Sequence, residues 1–247
     1  FAALTAFHAT SAAFWLRECT VGLVLGINLM LLPSAGVTFA VAGLTSALGR
    51  CHTFDNRADG YARAEACAMA MLASRQSAYG LIVYGSAVRQ DGKSASLTAP
   101  SGRAQQALLT ATLADAATTP SQLTLNEAHG TGTALGDPIE VGSCAAVVLS
   151  ARRDSMTPPM PLGGVKANIG HAEPAAGMTG LLKLAQALQR GHAPPNAQLR
   201  ALNLHVSGAL QRMLCALPTQ LAALASPWSK ELALRSKELT LGGVSSF

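Results

Sequence analysis

Apolar and polar positions along the chain follow helical periodicity in some segments and form short strand-like runs in others. The pattern predicts helices at 1–16, 104–117, 138–151 and 174–190, and strands at 20–26, 66–72, 79–87, 123–126 and 162–165. It also predicts loops at 50–67 and 88–102, with a variable connection at 199–237. Because strands and helices alternate, the fold class is α/β with a largely parallel or mixed sheet.

One uncharged stretch of the chain is a candidate for a membrane-spanning segment. No residue from Thr20 to Gly49 is charged, and that length would span a bilayer. Asn28, Pro33 and five glycines interrupt it. We therefore expect a buried strand followed by a loop or short helix, and no membrane association. The chain starts at Phe1 without a signal peptide, and both ends look cut, so we expect a piece of a longer polypeptide.

The composition narrows the class of protein further. With 49% hydrophobic and 13% charged residues, the chain is not a disordered one. Its 18 basic and 13 acidic residues give a net charge of +5, but the basic residues are scattered, which argues against a nucleic-acid partner. Five cysteines without a CxxC pair argue against a disulfide scaffold and a zinc ribbon. We expect no metal and a cytoplasmic location, or an organelle lumen.

The first motif with chemical content is NEAHGTGTALGDP at 126–138. A predicted strand delivers the chain to His129, which lies on a glycine-rich loop that leads into a helix. Asp137 is predicted to cap that helix, with Glu140 completing a capping box. A dinucleotide-binding loop is the rival interpretation, but the glycine spacing is one residue too long. A histidine that caps a turn is the simplest alternative.

The second motif is GVKANIGHAEP at 164–174. A short strand again ends in a polar turn, and His171 precedes the N-terminus of a helix. The helix dipole disfavours an imidazolium there, and Lys166 acts in the same direction. A neutral imidazole in that place can donate a hydrogen bond to a developing oxyanion. The alternative is a solvated lysine beside a helix-capping histidine.

The two histidine motifs resemble those of a known protein family. EAHGTGTALGDPIE (127–140) and VKANIGHAEPAAGMTGLLKL (165–184) closely resemble the two histidine motifs of β-ketoacyl synthases, above all the ketosynthase domains of type I polyketide and fatty acid synthases. Further matches are GINLML (26–31), GRCHTFDNRADGYAR (49–63), GSAVRQDGKSASLTAPSG (85–102) and GGVSSF (242–247).

The resemblance implies the thiolase fold, a five-layer α-β-α-β-α sandwich, here without its N-terminal part. Residues 1–79 would be the remainder of the N-terminal half, starting at the nucleophile helix. Residues 80–247 would be the C-terminal half with both histidine motifs, truncated at its end. The family is usually dimeric, so a homodimer of the parent protein is implied as well.

The resemblance also implies a reaction. A cysteine-bound acyl thioester would condense, with loss of CO2, with a malonyl-type extender on the phosphopantetheine arm of an acyl carrier protein. His129 and His171 would support decarboxylation and stabilise the enolate oxygen, and Lys166 would order the site electrostatically. Thr131 and Thr133 would hydrogen-bond the pantetheine arm. No cofactor is expected to bind the chain directly.

The sequence departs from the family pattern in two places. Alignment of the first helix puts the nucleophilic cysteine one residue before Phe1, and none of the five cysteines replaces it. The family's Gly-Glu-Gly is Ala64-Glu65-Ala66 here, which is expected to strain a loop. Two alternatives therefore stay open: a non-catalytic ketosynthase-like scaffold, and a decarboxylating loading domain with glutamine at the nucleophile position.

Overall fold

The first part of the structure, a computed structural model, is a helix followed by a two-stranded sheet. The residues described are 2–74, 80–92, 94, 99–152, 158–211, 213–218 and 241–247. The first elements are α1 (Ala2–Trp15), β1 (Val21–Asn28), α2 (Pro33–Val41) and β2 (Ala66–Ala73). Strands β1 and β2 pair antiparallel, with Val21 opposite Ala73 and Asn28 opposite Ala66.

The second part is built around a parallel sheet. Its helices are α3 (Gly102–Asp115), α4 (Gly136–Val147), α5 (Lys166–Ile169), α6 (Ala176–Arg190) and α7 (Leu204–Leu210). Its strands are β3 (Leu123–Glu127), β4 (Met160–Gly163), β5 (Cys215–Ala216) and β6 (Leu241–Val244). Short 3-10 turns lie at Pro120–Gln122, Leu149–Ala151 and Glu173–Ala175. The strand order is β5-β4-β3-β6, and all three pairings are parallel.

Helices α1 and α6 lie between the two sheets. Phe7 of α1 and Met178 of α6 share a buried cluster with Val24 of β1. Further along α6, Leu184 packs against Leu125 of the four-stranded sheet. The opposite face of this sheet packs against α4, so the described residues form four alternating layers of sheet and helix.

The other face of the β1–β2 sheet is open. Its strands alternate between buried and exposed positions because successive side chains point to opposite faces. The exposed apolar side chains are Val21, Leu23, Leu25, Ile27, Met69 and Met71.

The predicted elements agree with the structure to within a few residues, with one exception. The strand predicted at 79–87 does not form: residues 81–92 have no regular structure, and Leu81 to Tyr84 are exposed. Tyr79 lies outside the described residues. The prediction rested on the β-propensity of Ile82, Val83 and Tyr84, and that propensity reflects fit against neighbouring strands, which these residues lack in the described chain. The structure also contains α2 in the uncharged stretch, and no helix of the described residues is long and apolar enough to cross a membrane.

The expected strain at the lost glycines is absent. Neither Ala64 nor Ala66 has a positive φ, and Ala66 is the first residue of β2. An extended backbone accepts alanine as readily as glycine, so the substitution is compatible with this fold.

Candidate functional site

The first histidine lies on the loop between β3 and α4. Gly130 and Gly132 have φ of +51° and +77°, in the left-handed region that favours glycine. A Cβ on Gly132 would lie 2.6 Å from the backbone nitrogen of His52. The loop therefore approaches residues 51–53 at a distance that a side chain would prevent.

Two buried carboxylates hold this loop from inside. Glu140 accepts hydrogen bonds from the backbone N–H groups of His129 at 2.6 Å and Gly130 at 2.8 Å. Asp137 accepts from Gly132 at 3.0 Å and from Phe54 at 2.8 Å. The predicted capping roles of both residues are wrong: Leu135 occupies the N-cap of α4, without a side-chain cap. The loop lies over the start of α4, and its backbone N–H groups donate to the carboxylates of Glu140 and Asp137. These carboxylates therefore do not cap the helix.

Burial shifts the pKa of both carboxyl groups upward. Burial and the neighbouring Glu140 raise the pKa of Asp137 to about 7, against the hydrogen bond from Phe54. Burial also raises the pKa of Glu140, while the backbone bonds from the loop and the charge of Lys166 lower it.

Lys166 links the two motifs. It is the first residue of α5, and it is buried, which contradicts the alternative of a solvated lysine. Its ammonium group donates a hydrogen bond to the backbone carbonyl of His129. Burial lowers its pKa, and the carboxylates of Glu140 and Glu127 oppose that shift.

The second histidine lies between α5 and the turn that begins α6. His171 donates its backbone N–H to the Ala62 carbonyl at 2.7 Å, and its carbonyl accepts from Ala64 at 2.9 Å. Its ring Nδ1 accepts a hydrogen bond from the backbone N–H of Glu173 at 2.8 Å. Neutral His171 therefore carries its proton on Nε2.

The two predicted histidines meet in space. Their ring centroids are 5.4 Å apart, with the planes at 87°. Tyr61 packs against His171 at 4.8 Å, and Phe247 contacts His129 edge to face at 6.2 Å. The two imidazoles are thus in edge-to-face contact, and each also contacts an aromatic ring.

Both imidazoles are electrically neutral near pH 7. Burial, the charge of Lys166 and the neighbouring His171 hold the pKa of His129 well below its usual range. Burial and Lys166 lower the pKa of His171 to about 3. Neutral imidazoles act as hydrogen-bond donors rather than as acids, and a developing oxyanion is stabilised by such preorganised donors.

The two threonines of the first motif are close to each other. Thr131 is buried, and its hydroxyl lies 3.3 Å from that of Thr133. The Thr133 hydroxyl also accepts from the backbone N–H of Gly136 at 3.1 Å. These hydroxyls are thus fixed on the same loop as His129.

A second contact, which the sequence did not predict, joins the two motifs. Glu127 is buried at the end of β3, and its carboxylate lies 2.7 Å from the Lys183 ammonium of α6. Its other oxygen accepts from the backbone N–H of Val165 at 2.5 Å. The only sequence signal was a glutamate at a predicted strand end, which is too common to identify a partner. Among the described residues no group of three or more His, Cys, Asp or Glu side chains is placed to hold a metal ion.

The cysteines differ in burial and therefore in reactivity. Cys51 and Cys144 are buried, and burial raises the pKa of both thiols. Burial also raises the pKa of Cys215 to about 12. Cys67 is exposed on β2, and Cys19 is half-buried between α1 and β1. A raised pKa keeps a thiol protonated and a poor nucleophile.

Comparison with known families gives two adjacent matches. The family model "Beta-ketoacyl synthase, N-terminal domain" matches residues 2–78, and "Beta-ketoacyl synthase, C-terminal domain" matches residues 80–200.

Comparison with known proteins agrees. The chain is 36% identical over 248 residues to a phenolphthiocerol/phthiocerol polyketide synthase protein of Mycobacterium tuberculosis, a match that covers 98% of this chain and 13% of the relative. It is 38% identical to a second phenolphthiocerol/phthiocerol polyketide synthase protein of the same organism, over 82% of this chain and 11% of that relative.

Solved ketosynthases show the same fold. The ketosynthase from module 6 of the bacillaene synthase of Bacillus subtilis is 29% identical with a TM-score of 0.87, covering 99% of this chain and 43% of that one. The oxazolomycin ketosynthase domain KS7 of Streptomyces albus is 32% identical with a TM-score of 0.81, covering 88% of this chain and 38% of that one. The chain thus spans about an eighth of its curated relatives and about two fifths of the solved ketosynthases. It belongs to the β-ketoacyl synthase family and has the thiolase-like fold of the ketosynthase domains of type I polyketide synthases.

Proposed function

We propose that this chain is part of a longer polypeptide, here called the parent ketosynthase, in which it carries the decarboxylation site. The observation that supports this most directly is the pair of contacting imidazoles, His129 and His171. Both are neutral, and the charge of the buried Lys166 is one cause of their lowered pKa values. The extender would be a malonyl-type thioester on the phosphopantetheine arm of an acyl carrier protein.

The reaction divides into two steps. In the first, the bond between the extender's carboxylate and its α-carbon breaks, CO2 leaves, and the electron pair moves onto the thioester oxygen. The Nε2–H group of His171 donates to that oxygen, together with the ring of His129, so negative charge forms where donors already point. In the second, the thioester carbonyl re-forms as the α-carbon makes a bond to the acyl carbon of a cysteine-bound thioester. The bond between that acyl carbon and the cysteine sulfur breaks, the cysteine leaves as a thiolate, and the β-ketoacyl product stays on the carrier protein.

Lys166 and the threonines have supporting roles in this proposal. The Lys166 charge helps to keep both imidazoles neutral and fixes the His129 backbone through its carbonyl. Thr131 and Thr133 bind the amide and hydroxyl groups of the pantetheine arm beside His129, which their shared position on the loop supports.

The nucleophile is proposed to be a cysteine immediately before Phe1. The start of α1 lies against the start of α6: a Cβ on Gly177 would lie 2.6 Å from Cγ of Leu4. A cysteine at the start of this helix would suit the nucleophile's role, because a helix N-terminus lowers a thiol pKa. Glutamine there would make the chain a decarboxylating loading domain, and an inert residue would make it a scaffold.

We also propose two halves, 1–79 and 80–247, which the junction of the two family models between residues 78 and 80 supports. Residues 75–79, which precede this boundary, lie outside the described part of the chain. A homodimeric parent ketosynthase in the cytoplasm remains a prediction; the exposed apolar residues of β1 and β2 are compatible with further subunits or segments packing there.

The test is His171→Ala in the parent ketosynthase. Malonyl decarboxylation should fall by two orders of magnitude or more, about the loss seen when one oxyanion donor is removed. Transfer of a labelled acyl group to the nucleophile should continue, because the histidines act on the extender. Decarboxylation at the parental rate would refute the assignment.

A further inference from the structure

Glu173 has an unusual backbone conformation next to the second histidine. Its φ is +43°, in the left-handed region that side chains with a Cβ rarely adopt. This conformation aims the Glu173 N–H at Nδ1 of His171, 2.8 Å away. The hydrogen bond decides which ring nitrogen of His171 carries the proton, so a strained residue determines the tautomer of the proposed donor.

An ion pair holds this strained residue. The guanidinium of Arg63 donates from Nε to Oε1 of Glu173 at 2.6 Å and from Nη2 to Oε2 at 3.2 Å. Both side chains are largely buried, with 14% and 19% of their surfaces exposed. A bidentate pair of this kind fixes direction as well as distance.

Arg63 is itself held in place. Its guanidinium carbon lies 4.9 Å from the centre of the Phe39 ring, a cation–π contact with helix α2. Its backbone lies between Ala62 and Ala64, whose hydrogen bonds clamp the backbone of His171 from both sides. The same short segment thus fixes the main chain of His171 and, through Glu173, its ring.

We infer that Arg63 and Glu173 are positioning residues for His171: their ion pair maintains the left-handed backbone at Glu173, whose N–H keeps the His171 proton on Nε2. This inference rests on the proposed role of His171. Neither residue is expected to touch the substrate; both act through the orientation and tautomer of the imidazole.

Glycine provides a selective test, because it adopts a positive φ without the strain that a Cβ causes. Glu173→Ala removes the ion pair and keeps the strain, so the backbone should relax and the N–H should turn away from Nδ1. Glu173→Gly removes the same ion pair but allows the observed backbone. In the parent ketosynthase, kcat for malonyl decarboxylation should fall on the order of ten- to a hundredfold in Glu173→Ala, and Glu173→Gly should recover most of the loss.

The same logic applies to Arg63. Arg63→Met should lower kcat in the same way as Glu173→Ala, and the double variant Arg63→Met with Glu173→Gly should be faster than Arg63→Met alone. KM for the malonyl carrier protein should stay nearly constant throughout. Acyl transfer to the nucleophile, which does not use His171, shows in each sample that the protein is folded.

The outcomes separate this inference from the proposed function. Equal kcat values for Glu173→Ala and Glu173→Gly, or parental rates in both, would overturn the positioning role while His171→Ala remains inactive. If His171→Ala itself decarboxylates at the parental rate, the proposed function fails. A defect in Glu173→Ala that appears equally in acyl transfer would show a structural role only and would also overturn the inference.

Discussion

The rings of His129 and His171 meet edge to face, although 41 residues and the whole of α4 and β4 separate them in the sequence. Parallel strands bring them together: β3 and β4 are neighbours in the sheet, and each histidine follows the carboxyl end of one of them. Ligands commonly bind at this edge of a parallel sheet. The Lys166 ammonium completes the arrangement by bonding to the backbone of the other motif.

The Lys166 charge should determine the pH at which the decarboxylation rate falls on the acid side of its pH profile. With Lys166 present, burial and the Lys166 charge hold the pKa of His171 far below its usual range, to about 3 in the 247-residue chain, so its imidazole stays neutral near pH 7. In Lys166→Met both histidine pKa values should rise toward 6.5, since one lowering cause is gone, and activity should be lost as the pH falls through a higher range. The measurement is kcat for malonyl decarboxylation by the parent ketosynthase over a pH range that extends down to about 3, where the parental acid limb is expected.

Arg190→Met is the matched control for that measurement. It removes one positive charge from the exposed last turn of α6, and its pH profile should coincide with the parental one. An acid limb that does not move in Lys166→Met would show that Lys166 does not tune the histidines.

Gly132 and Gly142 should respond to alanine in opposite directions. A Cβ at Gly132 would strain a backbone with φ +77° and would meet the His52 nitrogen at 2.6 Å. Gly132→Ala should therefore destabilise the parent ketosynthase by about 1–3 kcal/mol. Gly142 lies inside α4 with nothing within 4 Å of its Cβ position, so alanine there should stabilise by about 0.5–1 kcal/mol.

Denaturant unfolding of the two glycine variants gives these free energies from their midpoints. Decarboxylation provides a second readout, since Gly132 belongs to the His129 loop and Gly142 does not. A Gly132→Ala variant as stable as Gly142→Ala would mean that the loop is free to move away from residues 51–53.

The five cysteines should remain unacylated when the 247-residue chain alone is incubated with a radiolabelled acyl thioester. Burial raises the pKa of Cys51, Cys144 and Cys215 and keeps these thiols protonated. The sample is denatured and the label counted. Iodoacetamide should modify the exposed Cys67 in a parallel sample, which shows that the assay detects an accessible thiol.

Stoichiometric acyl label on Cys144 would place the nucleophile in α4 and would contradict the alignment that puts it before Phe1.

Sedimentation of the same chain tests a related expectation. With the apolar face of β1 and β2 uncovered, it should associate rather than form one discrete dimer.

The sequence was sufficient for local structure and for the two histidine motifs, because apolar periodicity and glycine-rich turns are local signals. It failed at residues 81–84, whose strand propensity has meaning only beside another strand. It also misassigned Asp137 and Glu140, since a carboxylate at a helix start caps the helix only if no other N–H group comes closer. Arg63 and Glu173 are 110 residues apart in the sequence, so their ion pair could not be predicted. No sequence pattern predicts the positive φ of Glu173, which directs its N–H to His171.

The clamp of Ala62 and Ala64 on His171 limits how ketosynthases of this type can be recombined. A hybrid that took residues up to 79 from one parent and the remainder from another would join a foreign backbone clamp and a foreign Arg63 to a resident His171. A single crossover in residues 81–92 would separate the same two segments, although the backbone there has no regular structure. Successful hybrids should therefore inherit the 61–64 and 170–174 segments together, even when everything between them is exchanged.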